Sequence, residues 1–220
     1  MTLGLFDALP DAMPSREALG PGAVLLRRFA NELFANEQPL LCAIDAVVAA
    51  APFRHMVTPG GFRMSVAMTN CGPVGWVTDL TGYRYAPSDP ETGRPWPAMP
   101  ALLRELGVRA AEEAGFAQYS PDSCLINRYE PGTRLSLHQD RNERDFGAPI
   151  VSVSLGLPAT FLFGGAQRSD RPRRVPLDHG DVVVWGGPSR LAFHGVAPLE
   201  NGHHRVLGSR RINLTFRKAL

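Results

Sequence analysis

Short segments in which apolar and polar residues alternate dominate the second half of the chain. This two-residue period is typical of strands with one buried face. We predict strands at 123–129, 135–138, 150–155, 160–163, 174–177, 181–185, 191–196 and 211–216. The 22 glycines and 20 prolines of the chain favour frequent turns between them. Strands at this density predict a sandwich or a barrel.

The first half holds two segments with the helical spacing of apolar residues, at about 36–51 and 101–114. We expect residues 1–22 to form an irregular arm and residues 23–29 a first strand. Glycine and proline punctuate residues 59–100, which predicts either a mobile covering segment or a meander with core aromatics. The whole pattern predicts one mostly β domain over residues 1–220, with helices in its N-terminal half.

Composition and charge narrow the class of protein only slightly. A net charge of +2 does not by itself indicate a polyanion partner, although arginines cluster at 168–174 and 205–218 and could hold phosphates. The three cysteines show no CxxC spacing, which fits a reducing compartment. No signal sequence and no apolar run of membrane-spanning length is present, so we expect a cytoplasmic protein without membrane attachment.

The strongest chemical signal is the segment 135–140. His138 and Asp140 are two residues apart, so on a strand their side chains point to the same face. One more histidine would complete a two-His, one-carboxylate site, which binds Fe(II) and leaves positions open for oxygen chemistry. His194 follows the apolar segment 191–193 on a predicted strand, and a ligand on a strand is held rigidly. There are two alternatives. One is a zinc hydrolase with the same three ligands. The other is a salt bridge at His138 together with a His194 that only packs in the core.

The last predicted strand favours the iron site. Four polar residues of this strand share one face: Arg211, Asn213, Thr215 and Arg217. If this face looks into a barrel, its guanidinium groups require an anion, and a small dicarboxylate would satisfy two of them. Asn127 and Tyr129 share a face of another strand and offer further donors.

Together these motifs resemble the AlkB family of Fe(II)- and 2-oxoglutarate-dependent dioxygenases. The shared pattern is an HxD pair at His138, a distal histidine at His194 and an RxNxTxR strand that begins at Arg211. The resemblance extends from Ala23 to Arg217 and includes the segments 56–61, 68–72, 95–98, 125–129 and 179–187.

The resemblance implies a double-stranded β-helix, which is a jelly roll, with a nucleotide-recognition cover at about 59–100. It also implies that Fe(II) is bound by three residues: His138, Asp140 and His194. The cosubstrate 2-oxoglutarate would be held by Arg211 and Arg217, assisted by Asn127, Tyr129 and Asn213. O₂ would take the remaining iron position.

The activity implied by the resemblance is oxidative demethylation of bases such as 1-methyladenine and 3-methylcytosine. The substrate would be alkylated single- or double-stranded DNA, with RNA as a further candidate, and the products would include formaldehyde and succinate. Trp76 would stack on the base, and Tyr83, Tyr85 and Arg168 would contact the substrate. Such an enzyme would repair alkylation damage, and we expect it to act as a monomer.

Asn142 departs from the pattern of the family. Bacterial relatives carry an acidic residue two places beyond the ligand aspartate, whereas Asn142 keeps the hydrogen-bonding capacity without the charge. Glu143 follows it and is a candidate substitute. The departure leaves open the preference between the two methylated bases. Two other classes also stay open: a catalytically silent module that binds modified nucleic acid, and an oxygenase that acts on proteins or small molecules.

Overall fold

The computed structural model describes residues 15–34 and 36–220. Three α-helices lie in this part of the chain: α1 (Phe29–Leu33), α2 (Gln38–Ala50) and α3 (Ala101–Glu113). The two longer helices confirm the two predicted from apolar spacing. The short helix α1 was not predicted.

The described residues also form thirteen strands. In chain order they are β1 (Arg16–Gly20), β2 (Ala23–Leu26), β3 (Ala67–Cys71), β4 (Gly75–Asp79), β5 (Gly82–Ala86), β6 (Ser123–Tyr129), β7 (Leu135–His138), β8 (Ile150–Gly156), β9 (Ala159–Phe163), β10 (Arg173–Leu177), β11 (Val182–Trp185), β12 (His194–Val196) and β13 (Arg211–Arg217).

The strands make two facing sheets and a separate hairpin. The major sheet has seven strands in the order β1-β2-β11-β8-β13-β6-β3, and the minor sheet has four in the order β10-β9-β12-β7. Apolar side chains of both sheets, among them Tyr129, Phe161 and Trp185, pack into one core. Strands β4 and β5 pair only with each other. Two facing antiparallel sheets are the arrangement expected of a jelly roll.

Strand β13 lies between β8 and β6 and separates two environments. Ile212, Leu214 and Phe216 pack into the core that includes Leu40 of α2 and Leu103 of α3. Because side chains alternate along a strand, the polar residues of β13 face the space between the two sheets. The predicted polar face therefore points into the interior.

The register of β7 and β12 brings two histidines together. His194 lies directly opposite His138 in this antiparallel pair. A Cβ atom on Gly195 would lie 2.6 Å from the carbonyl oxygen of Leu135, closer than side-chain atoms approach backbone. Glycine at this position thus allows β12 to approach β7 closely, next to His194.

Two of the predictions near the N-terminus need correction. Residues 16–20 form β1, which pairs with β2, so the predicted arm is a strand over this part, while residues 1–14 lie outside the described residues. The first strand also ends at Leu26, because Arg28 takes a left-handed conformation with φ of 53° and starts α1. Its N–H donates to Asp181, which fixes the turn.

The predicted strand at 191–196 is shorter in the structure. It begins at His194, because Ala192 closes a turn by donating its N–H to the Ser189 carbonyl. Within the region 59–100, β3 belongs to the edge of the major sheet, and only the β4–β5 hairpin stands apart from both sheets. No helix in the described part of the chain is long and apolar enough to cross a membrane.

Candidate active site

The three predicted metal ligands converge at one end of the β7–β12 pair. The Nε2 atom of His138 lies 3.8 Å from Oδ1 of Asp140, and Nε2 of His194 lies 3.9 Å from Oδ2. These distances are too long for hydrogen bonds. The three candidate ligand atoms all lie within 4.8 Å of one another. No hydrogen bond joins either imidazole to this carboxylate, which favours the metal site over the alternative of a salt bridge at His138.

Backbone carbonyl groups fix the tautomers of both histidines. Nδ1 of His138 lies 2.9 Å from the carbonyl oxygen of Ser136, and Nδ1 of His194 lies 3.0 Å from that of Ala192. A carbonyl only accepts, so each Nδ1 carries the proton and each Nε2 directs a lone pair toward Asp140. This is the arrangement of metal-binding histidines.

The electrostatics of the site keep His194 and Asp140 in the protonation states that bind a metal. Burial, reinforced by His138, lowers the pKa of His194 from 6.5 to about 3, so its Nε2 lone pair is free at neutral pH. Burial by itself would raise the pKa of Asp140. Arg217 and the two imidazoles outweigh that effect and hold the Asp140 pKa well below its usual value.

Arg211 is a buried cation that lacks an anionic partner among the described residues. Its Nη2 donates to Ser154 at 2.9 Å, and its guanidinium lies over the Tyr129 ring at 4.9 Å. Its Nε and Nη1 atoms are buried and have no hydrogen-bond partner in the described part of the chain. An unpaired buried charge costs about 3–5 kcal/mol of stability. The free donors of Arg211 therefore indicate a site for an anion.

A cavity of about 840 Å³ connects this cation to the three candidate ligands. It is also lined by Trp76, Tyr83, Asn142 and Arg168. Trp76 and Tyr83 stack at 5.8 Å between ring centroids, and the Trp76 indole N–H donates to Oδ1 of Asn142 at 3.4 Å. The volume is in the range of sites that hold small molecules and cofactors.

Residues 22–217 match the family model described as the 2OG-Fe(II) oxygenase superfamily. The chain belongs to this superfamily. It is 57% identical, over 98% of each chain, to the alpha-ketoglutarate-dependent dioxygenase AlkB of Salmonella typhimurium. It is 34% identical over 122 residues to the human nucleic acid dioxygenase ALKBH1, covering 55% of this chain and 31% of that one.

A solved structure, that of OsALKBH1, superimposes with a TM-score of 0.79 and 28% identity. The match covers 92% of this chain and 99% of that chain. The predicted jelly roll and the resemblance to the AlkB family are both confirmed.

The cofactors of this oxygenase superfamily are Fe(II), 2-oxoglutarate and O₂, and the residues present fit them. Two neutral imidazoles and one carboxylate form the donor set of a non-haem iron site. The free donors of Arg211 suit a carboxylate of 2-oxoglutarate, because guanidinium groups bind carboxylates in a two-pronged geometry.

Arg217, the second arginine of β13, differs from Arg211 in its hydrogen-bond partners. Arg217 donates from Nε and Nη2 to Oδ2 of Asp140, at 2.9 and 2.7 Å. Only its Nη1 lacks a partner among the described residues. The prediction treated Arg211 and Arg217 as equivalent anchors, whereas the structure pairs Arg217 with a candidate iron ligand.

All hydrogen-bonding groups of the Asn213 side chain are also used within the protein. Its Nδ2 donates to Ser152 and to the Val153 carbonyl, and its Oδ1 accepts from Asn127 and Thr215. These four bonds use its full capacity. Asn213 therefore orients Asn127, whose own Oδ1 has no partner in the described chain. Ser152 and Ser154 were missed, although their alternation with valines in β8 was a usable signal.

Tyr85 is not among the residues that line the cavity, and its contact with the substrate stays a prediction. Its hydroxyl donates to Oε1 of Glu143 at 2.5 Å. Glu143 is buried, and its other oxygen accepts from Arg190 at 3.1 Å. Glu143 is thus occupied inside the protein and does not substitute for an acid at Asn142. Arg190 was missed as well, and a lone arginine in a turn carries no distinguishing pattern.

A second group of ligand-type residues lies elsewhere and consists of Glu37, His179 and His204. Here Nδ1 of His179 accepts the Gly156 N–H at 2.9 Å, and Nδ1 of His204 accepts that of Leu207 at 3.3 Å. The ring protons must therefore be on Nε2, which then has no lone pair for a metal. The rings also stack with planes 17° apart, so their in-plane lone pairs cannot converge. We interpret this group as structural: the two histidines accept hydrogen bonds from the backbone N–H groups of Gly156 and Leu207.

We predict that the metal-free protein binds one equivalent of Mn²⁺, a stand-in for Fe(II), in isothermal titration calorimetry. Asp140→Asn should weaken this binding by more than roughly 100-fold, since loss of an outer-shell partner alone costs about 10- to 100-fold. His204→Ala, in the second group, serves as the matched control and should leave the affinity unchanged. Binding of a second equivalent that His204→Ala removes would contradict the assignment.

Proposed function

We propose that this protein oxidatively removes methyl groups from the ring nitrogens of alkylated bases in DNA and so repairs alkylation damage. The observation that carries the proposal is one cavity that joins an iron-type ligand set to a stacked aromatic pair. The ligands lie at one end of the β7–β12 pair, and the aromatic pair is Trp76 and Tyr83.

In this proposal each group of residues has a defined task. The iron ligands are His138, Asp140 and His194. Arg211 binds a carboxylate of 2-oxoglutarate, with Asn127, Tyr129 and the free Nη1 of Arg217 nearby and Asn213 orienting Asn127. When bound, Fe(II) and 2-oxoglutarate let O₂ insert one oxygen atom into the methyl group, and formaldehyde, succinate and CO₂ are released.

The lining of the cavity supports a nucleic-acid substrate. Four arginines line it besides the two of β13: Arg63, Arg134, Arg141 and Arg168. Asp140 is the one acidic residue among the described residues that line it. Arginines neutralise phosphates. A base that undergoes such chemistry must leave the stack, and the pair of half-buried Trp76 and exposed Tyr83 offers it a flat apolar surface.

Several features stay predictions from the sequence. They are the single domain over residues 1–220, the role of residues 59–100 as a nucleotide-recognition cover, the monomeric state, and the cytoplasmic location without membrane attachment. RNA is a further candidate substrate, since the human relative is named a nucleic acid dioxygenase.

The test is an anaerobic mixture of protein, Fe(II), 2-oxoglutarate and a 3-methylcytosine oligonucleotide, to which O₂ is then added. We expect formaldehyde, succinate and restored cytosine in equal amounts, and none of them with His138→Ala. Succinate without demethylation would show that the substrate is a different molecule. Metal binding without any turnover would favour the silent binding module.

We expect Asn142→Asp to shift activity toward positively charged bases. The Trp76 indole only donates, so it fixes Oδ1 of Asn142 and leaves the amide donors for the substrate. A carboxylate could instead accept from the exocyclic amine of 3-methylcytosine and attract its charge. The ratio of kcat/KM for 3-methylcytosine to that for the neutral 3-methylthymine should rise by about tenfold, the effect of a charged hydrogen bond.

Asn201→Asp is the matched control, because Asn201 is exposed and does not line the cavity. It should leave the ratio unchanged. An unchanged ratio in Asn142→Asp would show that this side chain does not contact the base.

A further inference from the structure

Glu143 is a buried carboxylate that the proposed reaction does not use. It is 6% exposed. One oxygen accepts the Tyr85 hydroxyl proton at 2.5 Å and lies 3.5 Å from Nε of Arg217, and the other accepts from Arg190 at 3.1 Å. Through these three neighbours, the buried carboxylate of Glu143 links the segments that carry Tyr85, Arg217 and Arg190.

Arg190 connects Glu143 to the main chain of the candidate iron ligand. Its Nη1 donates to the backbone carbonyl of Asp140 at 2.8 Å, and its Nε donates to that of Ala148 at 3.0 Å. Arg217 holds the side chain of the same Asp140. One residue, Asp140, is therefore fixed at its backbone and at its carboxylate by two arginines that both contact Glu143.

The charges of this network cancel. Two guanidinium groups, of Arg190 and Arg217, face two carboxylates, of Asp140 and Glu143, and all four side chains are buried. Removal of the Glu143 charge would leave two arginines competing for Asp140. Because the interior screens charges poorly, that competition would draw electron density away from the oxygen atoms that Asp140 offers to a metal.

The remaining neighbour of Glu143, Tyr85, belongs to the β4–β5 hairpin. An isolated two-stranded hairpin is only marginally stable, so its position depends on the packing of Val77 into the core and on its hydrogen bonds to the rest of the protein. At its base the Asn70 amide bonds the Trp76 backbone, and Thr78 donates to the Val57 carbonyl at 3.2 Å. On the cavity side, Trp76 and Tyr85 bond the two consecutive residues Asn142 and Glu143.

We propose that Glu143 is a positioning residue through which the β4–β5 hairpin and the metal ligand Asp140 stabilise one another. The inference rests on the proposed metal site and goes beyond the proposed reaction. Metal bound at Asp140 orders the network and, through Tyr85, holds the hairpin over the cavity. Coupling between two sites is reciprocal, so a nucleotide that binds under the hairpin also tightens metal binding.

The test measures binding and hairpin protection without turnover. Mn²⁺ affinity is determined with and without a saturating 3-methylcytosine oligonucleotide, and hydrogen exchange is followed in residues 75–86 with and without Mn²⁺. In the wild-type protein we expect the oligonucleotide to tighten Mn²⁺ binding about fivefold or more, as is typical of coupled sites, and Mn²⁺ to slow exchange in the hairpin.

Three variants separate the parts of the network. Tyr85→Phe keeps the charges, so it should lose both coupling effects and, by the same reciprocity, weaken Mn²⁺ binding only by the factor by which Mn²⁺ slows hairpin exchange in the wild type. Glu143→Gln should lose the coupling and also bind Mn²⁺ about tenfold more weakly, the lower end for an outer-shell change. Thr78→Val is the control: it loosens the hairpin at a bond that does not involve Glu143, so exchange speeds up while the slowing by Mn²⁺ persists.

Full coupling in Tyr85→Phe, or wild-type Mn²⁺ affinity in a folded Glu143→Gln, would overturn the proposal. Tyr85→Phe removes a single hydroxyl group and keeps the test informative if Glu143→Gln fails to fold. A protein that does not bind the oligonucleotide would contradict the proposed function. Exchange slowed by Mn²⁺ in the wild type and not in Tyr85→Phe would still support the role of Glu143.

Discussion

The fold is organised around the need to pair charges that lie inside it. Strand β13 runs through the middle of the major sheet, with an apolar face against the helices and a polar face toward the interior. Arg217 on that face is neutralised by Asp140, whereas two donors of Arg211 have no partner among the described residues. A buried cation without an anion is costly, and we propose that 2-oxoglutarate is the anion that offsets this cost.

The candidate metal site depends on which ring nitrogen of each histidine carries the proton. Each histidine of the triad donates from Nδ1 to a backbone carbonyl two residues earlier, so both lone pairs face Asp140. The second His/Glu group has the same residue types with the opposite hydrogen bonds, because backbone N–H groups donate to its Nδ1 atoms. Residue identity and proximity do not distinguish these two groups, and the direction of their hydrogen bonds does.

Much of the fold and the centre of the site could be predicted from the sequence. The alternation in 211–217 predicted the strand and the polar face that four of its residues share, and the spacing of His138 and Asp140 predicted two of the three candidate ligands. Such local patterns survive folding because the period of a strand fixes which side chains share a face. Strand β1 was missed because its residues show no clear alternation and are ordered by pairing with β2.

The parts that could not be predicted depend on contacts between distant segments. Tyr85 and Tyr83 alternate in sequence, yet only Tyr83 lines the cavity, because a buried Glu143 accepts the Tyr85 hydroxyl. Arg190 reaches the backbone of Asp140 across 50 residues of chain. The spacing of residues predicts neither of these two hydrogen bonds. Each depends on which polar groups still lack a hydrogen-bond partner once the sheets have packed together.

The most direct test of this account is the melting temperature of Arg211→Met, measured with and without 2-oxoglutarate in the presence of Mn²⁺. Without 2-oxoglutarate the variant should melt at a higher temperature than the wild type, because an apolar side chain replaces an unpaired buried charge. 2-Oxoglutarate should raise the melting temperature of the wild type and leave that of the variant unchanged. A variant that melts earlier and is still stabilised by 2-oxoglutarate would contradict the claim that Arg211 is kept for the cosubstrate.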